Sequence, residues 1–133
     1  MDHNGFSEDI IMADRNALGV RGEEYAREYL KAQRYVIREA NWRWKEKEID
    51  IIAQKGDVLV IVEVKTRSSL DYGRPEDAVD DRKIRFLTAA ANAYIRRCHL
   101  NLSVRFDILS LVKNGDGFDL NHIKDAFFIP VSY

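Results

Sequence analysis

The run Asp57-Val58-Leu59-Val60-Ile61-Val62-Glu63-Val64-Lys65-Thr66-Arg67 is the strongest constraint on the fold. Side chains alternate along a strand, so Val58, Val60, Val62 and Val64 line one face and Leu59, Ile61, Glu63 and Lys65 the other. A strand that is apolar on both faces belongs in the middle of a sheet covered on both sides, which makes an α/β sandwich the expected architecture. Unpaired charge is costly in such a strand, so an acid and a base side by side near its end require partners.

The flanking segments supply the cover. From Asn16 to Arg34 the apolar residues Leu18, Tyr25, Ala26, Tyr29 and Leu30 recur at helical spacing. Tyr35 to Trp44 reads as a half-buried strand, and Glu48 to Gln54 forms an antiparallel pair with Val58 to Thr66 around a turn at Lys55-Gly56-Asp57. Pro75, Glu76 and Asp77 open a second helix that continues through Phe86, Leu87, Ala90 and Tyr94 to Arg96 and Arg97, with His99 at its end. Strands follow at Val104 to Val112 and Phe118 to Ile123, and Ala126 to Val131 is a candidate for another. Phe86, Tyr94, Phe127 and Phe128 are core candidates. The predicted order is αβββαββ around a central mixed sheet.

At 133 residues the chain suits one domain, taken as 15–133. Residues 1–14 form an acidic extension for which disorder is one expectation. The single Cys98 excludes a disulfide framework and a Cys-based zinc cluster. No apolar stretch is long enough for a membrane span, and the acidic start does not resemble a signal peptide, so a cytoplasmic protein is expected. The net charge of -1 argues against a polyanionic partner only until it is divided. Residues 15–47 sum to +4, 48–81 to -5 and 82–105 to +6. Two basic segments thus flank an acidic middle, a pattern that solvated helix faces also produce.

Asp50 is the natural companion of Glu63 and Lys65. A two-residue loop at Lys55-Gly56 sets Asp50 opposite Ile61 and Glu48 opposite Glu63, and any even loop keeps Asp50, Glu63 and Lys65 on one face. Two carboxylates converging beside an ammonium can hold Mg²⁺ or Mn²⁺ as hard oxygen ligands, with the Val64 backbone carbonyl as a further donor. Lys65 would orient the attacking water or stabilise developing charge on a phosphate. Glu23 is a further candidate ligand or base if the first helix packs over that sheet edge. A salt-bridged cluster at a strand end accounts for the same residues without chemistry, and Glu48, which an even register places on the triad's face as a candidate support for it, reads more simply as ordinary hairpin charge.

Asp50, twelve intervening residues and Glu63-Val64-Lys65 resemble the active-site pattern of the PD-(D/E)XK nuclease superfamily. Gly22-Glu23-Glu24-Tyr25-Ala26, Asn41-Trp42-Arg43, Glu48-Ile49-Asp50-Ile51-Ile52-Ala53, Val62-Glu63-Val64-Lys65-Thr66-Arg67 and Arg105-Phe106-Asp107 together resemble the YraN-like (UPF0102) family of bacterial proteins, itself similar to Holliday-junction resolvases. The resemblance implies a restriction-endonuclease-like sandwich. It also implies a metal-dependent endonuclease acting on DNA, branched or structured DNA included, with Glu23, Asp50, Glu63 and Lys65 as its site. A nucleic-acid-binding module that retains the fold without turnover is the alternative. Arg43, Lys45, Lys47, Arg67, Lys83, Arg85 and Arg105 are the candidate phosphate contacts, Lys47 standing where the family usually has glycine. Such contacts position a polyanion without reading its sequence. Paired cuts in a duplex would call for a homodimer.

Overall fold

The apolar run becomes the middle strand of a five-stranded sheet in the computed structural model. The structure describes the backbone of residues 4–69 and 79–127, with side chains from Asn16 onward. Its elements are α1 (Asn4–Ala32), β1 (Val36–Trp44), β2 (Lys47–Lys55), β3 (Val58–Arg67), α2 (Asp81–Cys98), β4 (Ser103–Asn114) and β5 (Gly117–Ile123). The strands lie in chain order, all neighbours antiparallel except β3 and β4, which are parallel and joined through α2. A parallel pair needs a long crossover, and α2 provides it.

Each helix covers one face. On the α1 side, Ala26 and Leu30 pack with Ile51, Ala53, Val60, Val62, Leu109 and Leu111; on the α2 side, Leu87, Ala90, Ala91 and Tyr94 pack with Ile52, Leu59, Ile61 and Phe106. These sets are the two alternating faces of β2 and β3, so burial on both sides of β3 follows directly from its sequence. Trp42, Trp44 and Phe86 join the α2-side core from its edge, and Phe127 stacks on Phe106 at 5.1 Å.

Several boundaries differ from the expected ones. The β2–β3 turn is Gly56-Asp57, with Lys55 paired to Val58, rather than Lys55-Gly56. Gly56 has φ +59, the requirement at the first central position of a type II′ turn. The helix expected to open at Pro75 begins at Asp81, because Asp80 caps it: its Oδ1 accepts the Lys83 N–H at 2.9 Å. Pro75, Glu76 and Asp77 lie outside the described residues. Helix α2 ends at His99, in the left-handed region with φ 53, as its terminal position suggested. Helix α1 starts at Asn4, inside the acidic extension rather than after it. Ala126 and Phe127 are not in a strand, and Phe128 to Val131 lie outside the described residues.

Helix α1 crosses β3 where it has no side chain. A Cβ on Gly22 would lie 2.8 Å from Thr66 Cγ2 and closer still to Thr66 Oγ1. Glycine therefore permits this approach, which carries the neighbouring Glu23 toward the end of β3.

Candidate functional site

Asp50 sits where β2 departs from regular pleating. Ile49 and Ile51, which strict alternation would put on one face, belong to opposite cores. Across from this point Asn41 takes a positive φ of 51, a conformation asparagine tolerates better than most residues. The β2–β3 ladder ends at Ile51 and Val62. Beyond it, Asp50 Oδ2 accepts the Val64 N–H at 2.8 Å, a side chain standing in for the next strand carbonyl. The expected pairing of Asp50 with Ile61 is not formed, because Ile61 pairs with Ile52.

The electrostatics of Asp50 follow from its burial and its neighbours. Burial, and next the Glu63 carboxylate, push Asp50 up from 3.8 to about 7, with Glu23 adding to the rise; the Val64 N–H and Lys83 oppose it. Glu63 has a side chain only 16% exposed, and its Oε1 lies 3.4 Å from Lys83 Nζ. Its Oε2 is buried with no hydrogen-bond partner among the described residues. A buried carboxylate oxygen left unsatisfied beside a second, repelled carboxylate is a deficit of positive charge. Mg²⁺ or Mn²⁺ fits that deficit, since such ions commonly use one or two carboxylates and complete their shell with water and phosphate oxygens.

Glu23 approaches Asp50 from α1, where its Oε2 accepts a 3.2 Å hydrogen bond from Asn41 Nδ2. Among the described residues no three His, Cys, Asp or Glu side chains gather as a ligand set. Val64 contributes its N–H to Asp50. Lys65 is exposed, and Glu48 is exposed and pairs with Arg43 at 3.8 Å, as hairpin charge would.

The expected basic contacts separate into groups. Arg43, Lys45 and Lys47 are exposed around the β1–β2 turn, where Lys45 Nζ lies 4.6 Å from the Trp44 ring centroid and Lys47 Nζ 5.6 Å from that of Phe86. Trp44 and Phe86 meet at 6.0 Å, holding this turn against α2 a single helical turn from Lys83. Arg85 is exposed on α2. Arg67 does not belong with them: it is only 8% exposed, because β3 carries it into the interior. Arg105 is likewise committed elsewhere, donating from Nε and Nη2 to Asp107 and from Nη2 to Tyr35 Oη, all within 2.9 Å.

That commitment is part of a network that the spacing of its residues in the sequence does not disclose. Asp107 is fully buried, and its Oδ2 also accepts from His122 Nε2 at 2.7 Å and its Oδ1 from the Asp125 N–H at 3.0 Å. An ionised carboxylate only accepts, so Nε2 carries the proton and, in the neutral ring, Nδ1 accepts from Tyr29 Oη at 2.9 Å. Burial alone would raise Asp107, but the His122 and Arg105 hydrogen bonds outweigh it and hold the acid below its ordinary value. The network ties α1, β4 and β5 together on the face opposite α2. The alternation of Arg105 and Asp107 on one side of β4 was its sequence signal; the remoteness of His122 and Tyr29 concealed the rest.

A mixed five-stranded sheet with a helix on each face, and an acidic pair contributed by β2 and the central strand β3, defines an α/β protein with a polar centre outside its cores. A family model described as "Uncharacterised protein family UPF0102" matches residues 22–111, and the chain belongs to that family. It is 49% identical over 121 residues to a UPF0102 protein of Flavobacterium johnsoniae, covering 88% of this chain and 98% of the relative. It is 50% identical over 119 residues to one of Parabacteroides distasonis, covering 90% and 98%. Among the described residues no helix is long and apolar enough to cross a membrane.

Proposed function

We propose that the chain is a Mg²⁺- or Mn²⁺-dependent endonuclease that hydrolyses phosphodiester bonds in DNA, with branched or structured DNA as the substrate class to test first. The observation that carries this reading is the buried, unpartnered Glu63 Oε2 beside Asp50, whose carboxyl is raised to about 7 by burial and by Glu63. Asp50 and Glu63 hold the cation, and the Val64 N–H fixes the Asp50 carboxylate in place. The bound ion supplies Lewis acidity toward the phosphate and lowers the pKa of an attacking water. Lys65, which shares the Glu63 face by strand alternation and is exposed to a substrate, stabilises negative charge as it develops. Lys45, Lys47 and Arg85 provide sequence-independent attraction to the phosphate backbone.

A second reading, binding of nucleic acid without turnover, draws support from the Lys83 ammonium 3.4 Å from Glu63, which supplies positive charge without a metal. Purified protein incubated with Mg²⁺ or Mn²⁺ and a panel of linear, single-stranded and junction DNAs separates the two. Cleavage abolished by Asp50→Ala and by Lys65→Ala is the expected result. Cleavage that survives both substitutions removes these residues from the mechanism, and salt-sensitive binding with no cleavage favours the second reading.

A further inference from the structure

Lys83 occupies a place where its helix does not favour a cation. It is the third residue of α2 after the Asp80 cap, in the turn where the helix dipole presents positive charge and acids are preferred. Its backbone N–H is held by Asp80 Oδ1 at 2.9 Å, and the adjacent Leu87 and Phe86 anchor this part of α2 in the core beside Trp44. The ammonium is thereby delivered over β3, 3.4 Å from Glu63 Oε1, with the side chains 31% and 16% exposed. Lys65, the lysine nearest Glu63 in sequence, is exposed.

We infer that Lys83 is the resident counter-cation of the acidic pair: it holds Glu63 in the metal-free protein, yields that carboxylate to an incoming divalent ion, and then presents its freed ammonium to a DNA phosphate. The inference rests on the metal-site reading above and adds a positioning residue from outside β2 and β3. A charge this close to Glu63 competes with the ion for the same ligand and repels it once bound. The partial exposure of Lys83 leaves it a path to solvent and substrate.

The test is a Mn²⁺ titration followed by electron paramagnetic resonance on the wild type, Lys83→Met, Lys83→Arg and Glu63→Gln, with DNA binding measured in Ca²⁺ by fluorescence anisotropy. Lys83→Met keeps the apolar stem and loses the charge, so it should bind Mn²⁺ about tenfold more tightly and DNA several-fold more weakly. Lys83→Arg should restore wild-type behaviour in both measurements, and Glu63→Gln should lose the ion. Equal or weaker Mn²⁺ affinity in Lys83→Met than in the wild type overturns the role of Lys83 alone. Absence of Mn²⁺ binding in every variant overturns the metal site, and this inference with it.

Discussion

Replacing Asp50 by asparagine is expected to stabilise the folded protein above neutral pH while removing its affinity for divalent ions. Burial and the Glu63 charge move the Asp50 carboxyl from 3.8 to about 7, so between those values the folded chain keeps a proton that the unfolded chain has released. The folded state binding more protons means that stability falls as pH rises across this window, by up to about 1.4 kcal/mol per pH unit. An interval of about three units gives a ceiling of about 4 kcal/mol for the cost of ionising Asp50 in the folded state. The amide oxygen of asparagine still accepts the Val64 N–H that Asp50 takes at 2.8 Å, and it carries no charge. The advantage of Asp50→Asn should therefore be near zero at pH 4, grow through pH 5 and 6, and level off above about pH 7 at roughly 2–4 kcal/mol. Urea unfolding at pH 4, 6 and 8 in the presence of a chelator measures it. Repeating the series with Mg²⁺ should stabilise the wild type and leave the variant unmoved, because the ion acts through binding to the folded state. A variant less stable than the wild type at pH 8, or an advantage that does not grow with pH, refutes the reasoning.

Three further substitutions probe what supports the site. Asp107→Ala should cost about 3–5 kcal/mol in urea unfolding, because it strands the Arg105 and His122 donors around a fully buried position. The lowered value of Asp107 means that its contribution is present above the unfolded aspartate range and lost as pH falls through the folded value; acid unfolding that is the same with and without Asp107 would contradict this. Gly22→Ala should destabilise by about 1–3 kcal/mol through collision with Thr66, and Thr66→Ala should recover part of the loss; an unchanged unfolding midpoint would show that α1 does not depend on this close approach.

Much of the architecture was legible because β3 declares itself: valine and isoleucine on both faces require helices above and below, and α1 and α2 are the amphipathic segments available. The nearness of Asp50 to Glu63 was legible only in part: parity survives the displacement of the turn from Lys55-Gly56 to Gly56-Asp57 as far as Ile51 and Val62, but the break in pleating between Ile49 and Ile51 left no trace in the sequence pattern. What escaped was tertiary. Lys83 reads in sequence as one of several cations on a polar helix face, and only the placement of α2 over β3 brings it to Glu63. Arg67 and Arg105 read as surface charge because sequence does not disclose burial or the distant partners Tyr35 and Asp107. The start of α2 is ambiguous in sequence because Pro75 and Asp80 both suit a helix opening, and the side-chain cap at Asp80 sets the observed start at Asp81.

Crystals grown at pH 8 and soaked in Mn²⁺, with anomalous diffraction recorded above the manganese edge, test the central claim most directly. The predicted result is one strong anomalous peak within coordination distance of an Asp50 and a Glu63 carboxylate oxygen, with Lys83 Nζ withdrawn from Glu63, and no peak in Asp50→Asn crystals. A fully occupied Lys83–Glu63 ion pair with no peak at that position, at Mn²⁺ concentrations that saturate ordinary carboxylate sites, would contradict it.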